Sequence, residues 1–306
     1  MKRILILGGT GFVGRHICTR LSQAGWSVTV PSRNPAAARH LAGLPLIEVV
    51  PGDVHDEATL IRLLAGADAV VNLVAILHGS EAAFEQVHVE LPKKLARACA
   101  AAGVRRLVQV SALGAALDGP SMYQRSKARG EAVLHTQAAA GILDLTVLRP
   151  SVIFGAQDKF LNVFAQLQRV FPVIPLAGAD TRFQPVWVED VAAAVMRCLQ
   201  DDATIGQIFE ACGPEVFTLR DLVRLAGQYA GVNQGRGRAV FALPMTLARL
   251  QAWLMERLPG EPLMSGDNLN SMAVDNVASG MLPGLAALGI TPAALADVAP
   301  GYLRRR

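Results

Sequence analysis

Residues 3–14 read RILILGGTGFVG. The aliphatic run Ile4 to Leu7 suits a strand buried on both faces. Gly8, Gly9, Gly11 and Gly14 follow it directly, and a helical pattern then runs to about Ala24 and stops at Gly25. A glycine is needed where such a chain turns sharply, another where its backbone approaches a pyrophosphate, and a third where helix and strand pack closely. The free N–H groups of the new helix point at the phosphates. Gly8, Thr10, Gly11, Phe12, Val13 and Gly14 are therefore the expected pyrophosphate loop.

The rest of the first half repeats the alternation. Strands are expected over 27–30, 46–50, 69–74, 106–110 and 143–148, with helices over 57–64, 84–102 and 121–139 and a short one over 35–41. Strand and helix in turn, joined by short loops, build a parallel sheet with helices on both faces and a ligand crevice at the strand C-termini. The fold class expected is α/β, a Rossmann-type doubly wound parallel sheet with a smaller C-terminal lobe. Residues 1–150 form the dinucleotide-binding domain. Residues 151–306 form the smaller substrate or partner lobe, with segments returning to the main sheet. Helices are expected there over 159–170, 188–199 and 218–229, and a short strand over 206–210. The most amphipathic helix of that half spans 243–258. Its Leu247, Leu250, Leu254 and Leu258 share one face, broadened by Trp253 and Met255, and are expected to pack between lobe and domain. A pocket wall for an apolar substrate and a membrane-surface contact are the alternatives.

Composition narrows the class. The chain is 52% hydrophobic and 18% charged, with a net charge of +4, which suits a compact globular protein and gives no ground for nucleic-acid binding. Cys18, Cys99, Cys198 and Cys212 lie in apolar segments without a CxxC spacing, as buried thiols of a reducing compartment do. The histidines form no HExxH set, so no metal is expected. Ile4 to Leu7 is too short for a secretory leader, and no apolar run reaches the roughly 20 residues of a membrane span. A cytoplasmic location follows, with a peripheral one at the inner membrane face as the alternative. The run Arg304, Arg305, Arg306 reads as a solvated tail.

The end of the second strand bears on cofactor choice. An acid there would grip the ribose diol of NAD. The sequence instead has Ser32, Arg33 and Asn34. Arg33 suits a 2′-phosphate, with Arg15 as a second contact, so NADP(H) is preferred and NAD(H) is the alternative. Asp53 is placed to accept from the adenine amino group or to cap a helix, and Val54 to pack on the ring. Leu73, Val74 and Ala75 follow the fourth strand and line the cofactor's path.

Chemistry is expected around the fifth strand's end. Ser111 stands at its mouth, and Tyr123 and Lys127 lie one turn apart on the helix that follows. A phenol near its ordinary value of about 10 is a poor base at neutrality, and an adjacent ammonium would lower it. Tyr123 would then exchange a proton with a carbonyl or hydroxyl while the cofactor exchanges hydride, with Ser111 steadying the substrate oxygen and Lys127 holding the ribose.

These motifs, together with LRPSVIFG and QPVWVEDVA, resemble the extended and atypical short-chain dehydrogenase/reductase superfamily across nearly the whole chain. SALGA and SMYQRSKARGE are most similar to the branch containing the NADPH-binding 39 kDa accessory subunit of respiratory complex I and its bacterial relatives. The resemblance implies Ser111, Tyr123 and Lys127 as the catalytic set, and it places Pro150, Val152 and Ile153 beside the nicotinamide. It implies an NAD(P)-dependent oxidoreductase acting on a small molecule, of which a hydrophobic or quinone-like carbonyl or hydroxyl compound is one kind. A non-catalytic NADPH-binding protein in contact with a respiratory complex or membrane is the main alternative. A nucleotide-sugar epimerase or dehydratase is the third reading, although the second half shows no basic set awaiting a diphosphate.

Overall fold

The computed structural model describes residues 1–257, 260 and 264–304. The chain begins with β1 (Arg3–Leu7), α1 (Phe12–Gln23), β2 (Ser27–Ser32), β3 (Ile47–Pro51), α2 (Glu57–Leu64), β4 (Ala69–Asn72) and α3 (Glu81–Glu85). A π-turn over Gln86–Glu90 leads to α4 (Leu91–Ala102), β5 (Arg106–Val110), α5 (Met122–Ala139) and β6 (Asp144–Pro150). Then come β7 (Ile153–Phe154), α6 (Leu161–Val170), β8 (Val173–Leu176), β9 (Arg182–Phe183), β10 (Val186–Trp187), α7 (Val188–Gln200) and β11 (Ile208–Ala211). The chain closes with β12 (Phe217–Thr218), α8 (Leu219–Tyr229), β13 (Ala239–Ala242), α9 (Met245–Met255), α10 (Gly266–Ser271) and α11 (Leu295–Leu303).

Seven parallel strands form the main sheet in the order β11-β6-β5-β4-β1-β2-β3. This is a Rossmann-type parallel α/β sheet with additional C-terminal helices and strands. β1 shows why its sequence is apolar throughout. Ile4 and Ile6 join a core with Ile17 and Leu21 of α1 and Val191 and Val195 of α7. Leu5 and Leu7 join a second core with Leu60 of α2, Leu95 of α4 and Leu134 of α5. Both faces are covered, so period-2 alternation is absent. The strand order turns around between β1 and β4, and a crevice opens there at the strand C-termini.

Local capping sets the helix starts. Asp56 accepts from Thr59 N at 3.0 Å ahead of α2, and Ser121 with Gln124 forms a capping box on α5. Thr218 with Asp221 does the same on α8.

Several expectations are corrected. The helix expected over 84–102 starts earlier, at Glu81 behind Ser80, and carries the π-turn. The short helix at 35–41 is a 3-10 turn over Pro35–Ala38. The Pro-marked segment at 172–175 contains β8, whose two-stranded ribbon with β13 tolerates prolines. α11 has no counterpart in the sequence reading, because Pro300 interrupts its pattern.

The largest correction concerns α9. Leu247, Leu250 and Leu254 are exposed at 51%, 54% and 53%, whereas Ala248 and Ala252 are buried. The small alanines let the helix settle closely against Ala177 and Leu269, and the leucine stripe turns outward. Leu258, Arg305 and Arg306 lie outside the described residues. Among the described residues no helix is long and apolar enough to cross a membrane.

Gly14 marks the close approach of α1 to the end of β1. A Cβ there would meet the Gly8 carbonyl and the Gly9 backbone, neither of which is a flexible side-chain end. Gly14→Ala should therefore lower unfolding free energy by about 1–3 kcal/mol. Urea denaturation measures this, and an unchanged midpoint would contradict the packing.

Candidate functional site

A cleft of about 390 Å³ opens at the β1/β4 crevice. Gly8 sits at its base with φ +82°, and the Gly11 N–H donates back to Gly8 O at 3.0 Å, closing the loop. Gly8 lies so close to Leu73 that a Cβ would come within 3.2 Å of the Leu73 Cβ. Asn72 holds this neighbour in place. Its amide donates to Gln109 Oε1 at 2.9 Å, and its Oδ1 accepts from Val74 N at 3.2 Å.

Of the residues expected to bind cofactor, Gly8, Thr10, Ser32, Arg33, Val54 and Val74 line the cleft together. Gly11, Phe12, Val13 and Gly14 form the first turn of α1 beside it. Val13 and Leu73 pack against the core, and Ala75 is exposed just past the lining residue Val74. Asp53 is not a lining residue. Its Oδ1 accepts from His55 N at 3.0 Å, and capping of α2 falls to Asp56 instead.

His55, Asn34 and Gly52 also line the cleft, and the sequence reading did not include them. Positive groups converge here. His55 is held below its ordinary value first by burial and then by Lys94 and Arg33, against the pull of Asp53. His40 is lowered by partial burial and by Arg15. The Arg15 Nε is buried without a hydrogen-bond partner. No ion pair engages Arg33 among the described residues. Arg33 on the cleft wall, above a glycine loop that opens α1, fits the phosphates of a dinucleotide.

The second half of the site lies along the ends of β5 and β6. Ser111 N donates to Leu148 O at 2.7 Å, while its buried Oγ has no hydrogen-bond partner among the described residues. Leu113 N donates to Pro150 O at 2.9 Å. Val152 N donates to Asn276 Oδ1, and Ile153 pairs with Val186 and packs on the core. The structure thus sets Ser111, Pro150 and Val152 side by side at one edge.

Tyr123 and Lys127 stand on α5, and their environment corrects the expected chemistry. The buried Lys127 Nζ donates to Val110 O at 3.0 Å. Desolvation lowers it to about 8 against the opposing charge of Glu131, which is itself paired with Arg149. Burial pushes the Tyr123 phenol up to about 12. The expected depression by Lys127 does not appear, because the amine faces a backbone carbonyl and desolvation dominates both groups.

Three partners in this region carry no sequence signature. His88 sits beneath Tyr123 in a T-shaped contact at 5.5 Å. Its Nε2 accepts from Ile76 N at 3.1 Å, so the proton resides on Nδ1, which donates to Ser126 Oγ at 2.8 Å. Ser126 in turn donates to Tyr123 O at 2.9 Å. The π-turn brings the His88 carbonyl against Gly130 of α5, where a Cβ would clash with it. Asp267 of α10 accepts from Met122 N at 2.6 Å and Tyr123 N at 3.0 Å, placing a carboxylate on the positive end of α5. Asn276 accepts from Ser151 Oγ at 2.6 Å and donates to Leu113 O at 3.4 Å, bridging the β5 and β6 ends.

A family model described as the NAD dependent epimerase/dehydratase family matches residues 4–212. The chain belongs to that family. It is 31% identical over 287 residues to "NADH dehydrogenase [ubiquinone] 1 alpha subcomplex subunit 9, mitochondrial" of Arabidopsis thaliana, covering 90% of this chain and 70% of that protein. The protein of the same description from Mus musculus is 31% identical over 307 residues, covering 98% and 79%. Among solved structures, the dTDP-glucose 4,6-dehydratase DesIV of Streptomyces venezuelae, with NAD bound, superposes with a TM-score of 0.78. That likeness covers 99% of this chain and 96% of that one at 21% identity, and it speaks to the fold. The protein is thus an NAD(P)-binding Rossmann-fold member of the epimerase/dehydratase superfamily.

His88 yields a pH prediction. Burial, then Lys127, lowers it from 6.5 to about 3, so the folded state keeps it neutral where an unfolded chain would protonate it. The unfolded state binds more protons between those values, and stability falls as pH drops below 6.5. Wild type should lose about 2 kcal/mol more than His88→Asn on going from pH 6.5 to about pH 5, at about 1.4 kcal/mol per unit. Urea denaturation at both pH values measures the difference, and equal losses would remove His88 as its source.

Proposed function

We propose that this protein holds a dinucleotide, NADPH by preference, as a non-catalytic structural or assembly protein. The Arabidopsis thaliana and Mus musculus relatives are described as subunits of NADH dehydrogenase [ubiquinone], and they align over most of this chain. Peripheral contact with such a respiratory complex, or with the membrane beside it, belongs to this reading. The carrying observation is the contrast between the two ends of the site. The β2 end sets Arg33 and His55 on an open cleft, with Ser32 in place of an acid. At the far end Tyr123 is pushed up to about 12 and Lys127 is tied to a backbone carbonyl, an arrangement poor at proton exchange near neutrality.

Holding requires only the protein's own contacts. The glycine loop presents N–H groups to the pyrophosphate, and Val54 and Val74 flank the adenosine half. Arg33 offers a planar donor set to a 2′-phosphate. The protein purified without added nucleotide should carry NADPH, identified by mass spectrometry of the acid-released fraction. Arg33→Ala should weaken NADPH binding by about tenfold while changing NADH little, as the loss of one charge-assisted contact implies. Equal losses for both nucleotides in calorimetric titrations would end the NADP assignment.

A second reading, hydride transfer to an apolar or quinone-like carbonyl, is favoured by one observation. The buried Ser111 Oγ has no hydrogen-bond partner among the described residues, as suits a hydroxyl reserved for a substrate oxygen. The bound nicotinamide would supply hydride, while Tyr123 hands over the proton and Ser111 orients the acceptor. NADPH oxidation that depends on an added quinone, and that is lost in Tyr123→Phe with nucleotide binding intact, is the expected result under this reading. The same slow oxidation in both proteins would leave Tyr123 with a holding role alone.

A further inference from the structure

The outward face of α9 is the part of the molecule that neither the core nor the cleft accounts for. Leu247, Leu250 and Leu254 form a stripe at i, i+3 and i+7, and each is more than half exposed. Trp253 at 49% and Met245 at 46% widen it, and Phe241, on the strand leading into the helix, is exposed at 59%. A helix placed on a soluble surface ordinarily shows the opposite arrangement, with leucines inward and small or polar residues outward. Here Ala248 and Ala252 pack inward. A contiguous apolar face of this size on an otherwise ordinary surface marks a contact site.

The charges around the face say what covers it. Along α9 and the two residues after it the chain has Arg249 and Arg257, and Glu256 is the lone acid. Glu256 is already engaged, accepting from Gly266 N at 2.8 Å. Arg257 lies 3.4 Å over the Trp253 ring, so a cation and an indole share the border of the stripe. No ion pair engages Arg249, on α9 itself, among the described residues. Indole and guanidinium at the edge of a leucine stripe suit the boundary between acyl chains and headgroups, where apolar bodies sink and charged tips stay wet. A second copy of the chain fits poorly, because a two-fold contact through this face would set arginine against arginine.

We infer that α9, with its exposed leucine stripe and arginine border, docks flat onto the surface of an anionic lipid bilayer. The helix is too short to cross one and lies in the headgroup plane. The docked helix is linked to the site through α10. The inner side of α9 packs on Leu269 of α10, and the neighbouring Asp267 caps the helix that carries Tyr123 and Lys127. The inference gives a surface to the peripheral contact proposed above and rests on that contact alone.

Flotation of the full-length chain with vesicles tests it, and the assay needs neither turnover nor bound nucleotide. Wild type should rise with phosphatidylcholine vesicles containing phosphatidylglycerol, and markedly less with phosphatidylcholine alone or at high salt. The double variant Leu250→Asp, Leu254→Asp alters exposed positions. It should partition at least about tenfold less while keeping its melting temperature and NADPH binding. Arg249→Gln with Arg257→Gln should lose the preference for anionic vesicles. Equal flotation of wild type and the leucine variant would overturn the inference. So would a wild-type monomer that binds no vesicle, which would leave the face to another protein. A solution dimer dissolved by the same leucine substitutions would also overturn it, assigning the face to a second copy.

Discussion

The approach of α1 to the end of β1 is the contact from which the site is built. With no side chain at Gly14, the first turn of α1 rests directly on the Gly8 carbonyl and the Gly9 backbone. That closeness directs the helix N-terminus across the C-terminal edge of the sheet. Gly8 is pressed in turn against Leu73, so the loop and the end of β4 form one wall. The reversal of strand order between β1 and β4 keeps other connections from covering the gap. A cleft at this point follows from backbone geometry, and the side chains around it decide what it prefers to hold.

The two halves of the site are tuned differently. At the β2 end Arg33 is exposed and faces the cleft, where it remains available to phosphate. At the α5 end the titratable groups are buried among carbonyls and aromatic rings, and desolvation outweighs their mutual influence. Glu131 opposes the drop in Lys127 without reversing it, since its own charge is shared with Arg149. His88 responds in the same direction, neutral under burial and under the nearby ammonium. At Tyr123 and Lys127 burial therefore raises the phenol and lowers the amine.

The C-terminal elements act on this site through single polar contacts rather than a broad core. Asp267 reaches the α5 N-terminus, and Asn276 links the ends of β5 and β6. Each closes backbone groups that would otherwise stand unsatisfied near the cleft. β11 extends the main sheet beyond β6, and α7 covers one of its faces. Later segments of the chain thus complete the scaffold as well as one wall of the site.

What the sequence determined by itself is local and periodic. The unbroken apolar run of β1 called for two covered faces, the glycines after it called for a turn and a close helix, and the absence of an acid after β2 was legible as Ser32 and Arg33. Tertiary structure decided the rest. A 3.6-residue period shows that α9 has an apolar face, but not whether its leucines or its alanines face inward. Here close packing on Ala177 selected the alanines. The surroundings of Tyr123 and Lys127 include His88 and Val110 O, which lie 35 and 13 residues before Tyr123 in the chain. Asp267 gave no local sign of its role, because a cap supplied from a distant helix leaves no spacing to read. Periodicity records what each segment must bury or turn, and burial, charge and partner choice arise only when distant segments meet.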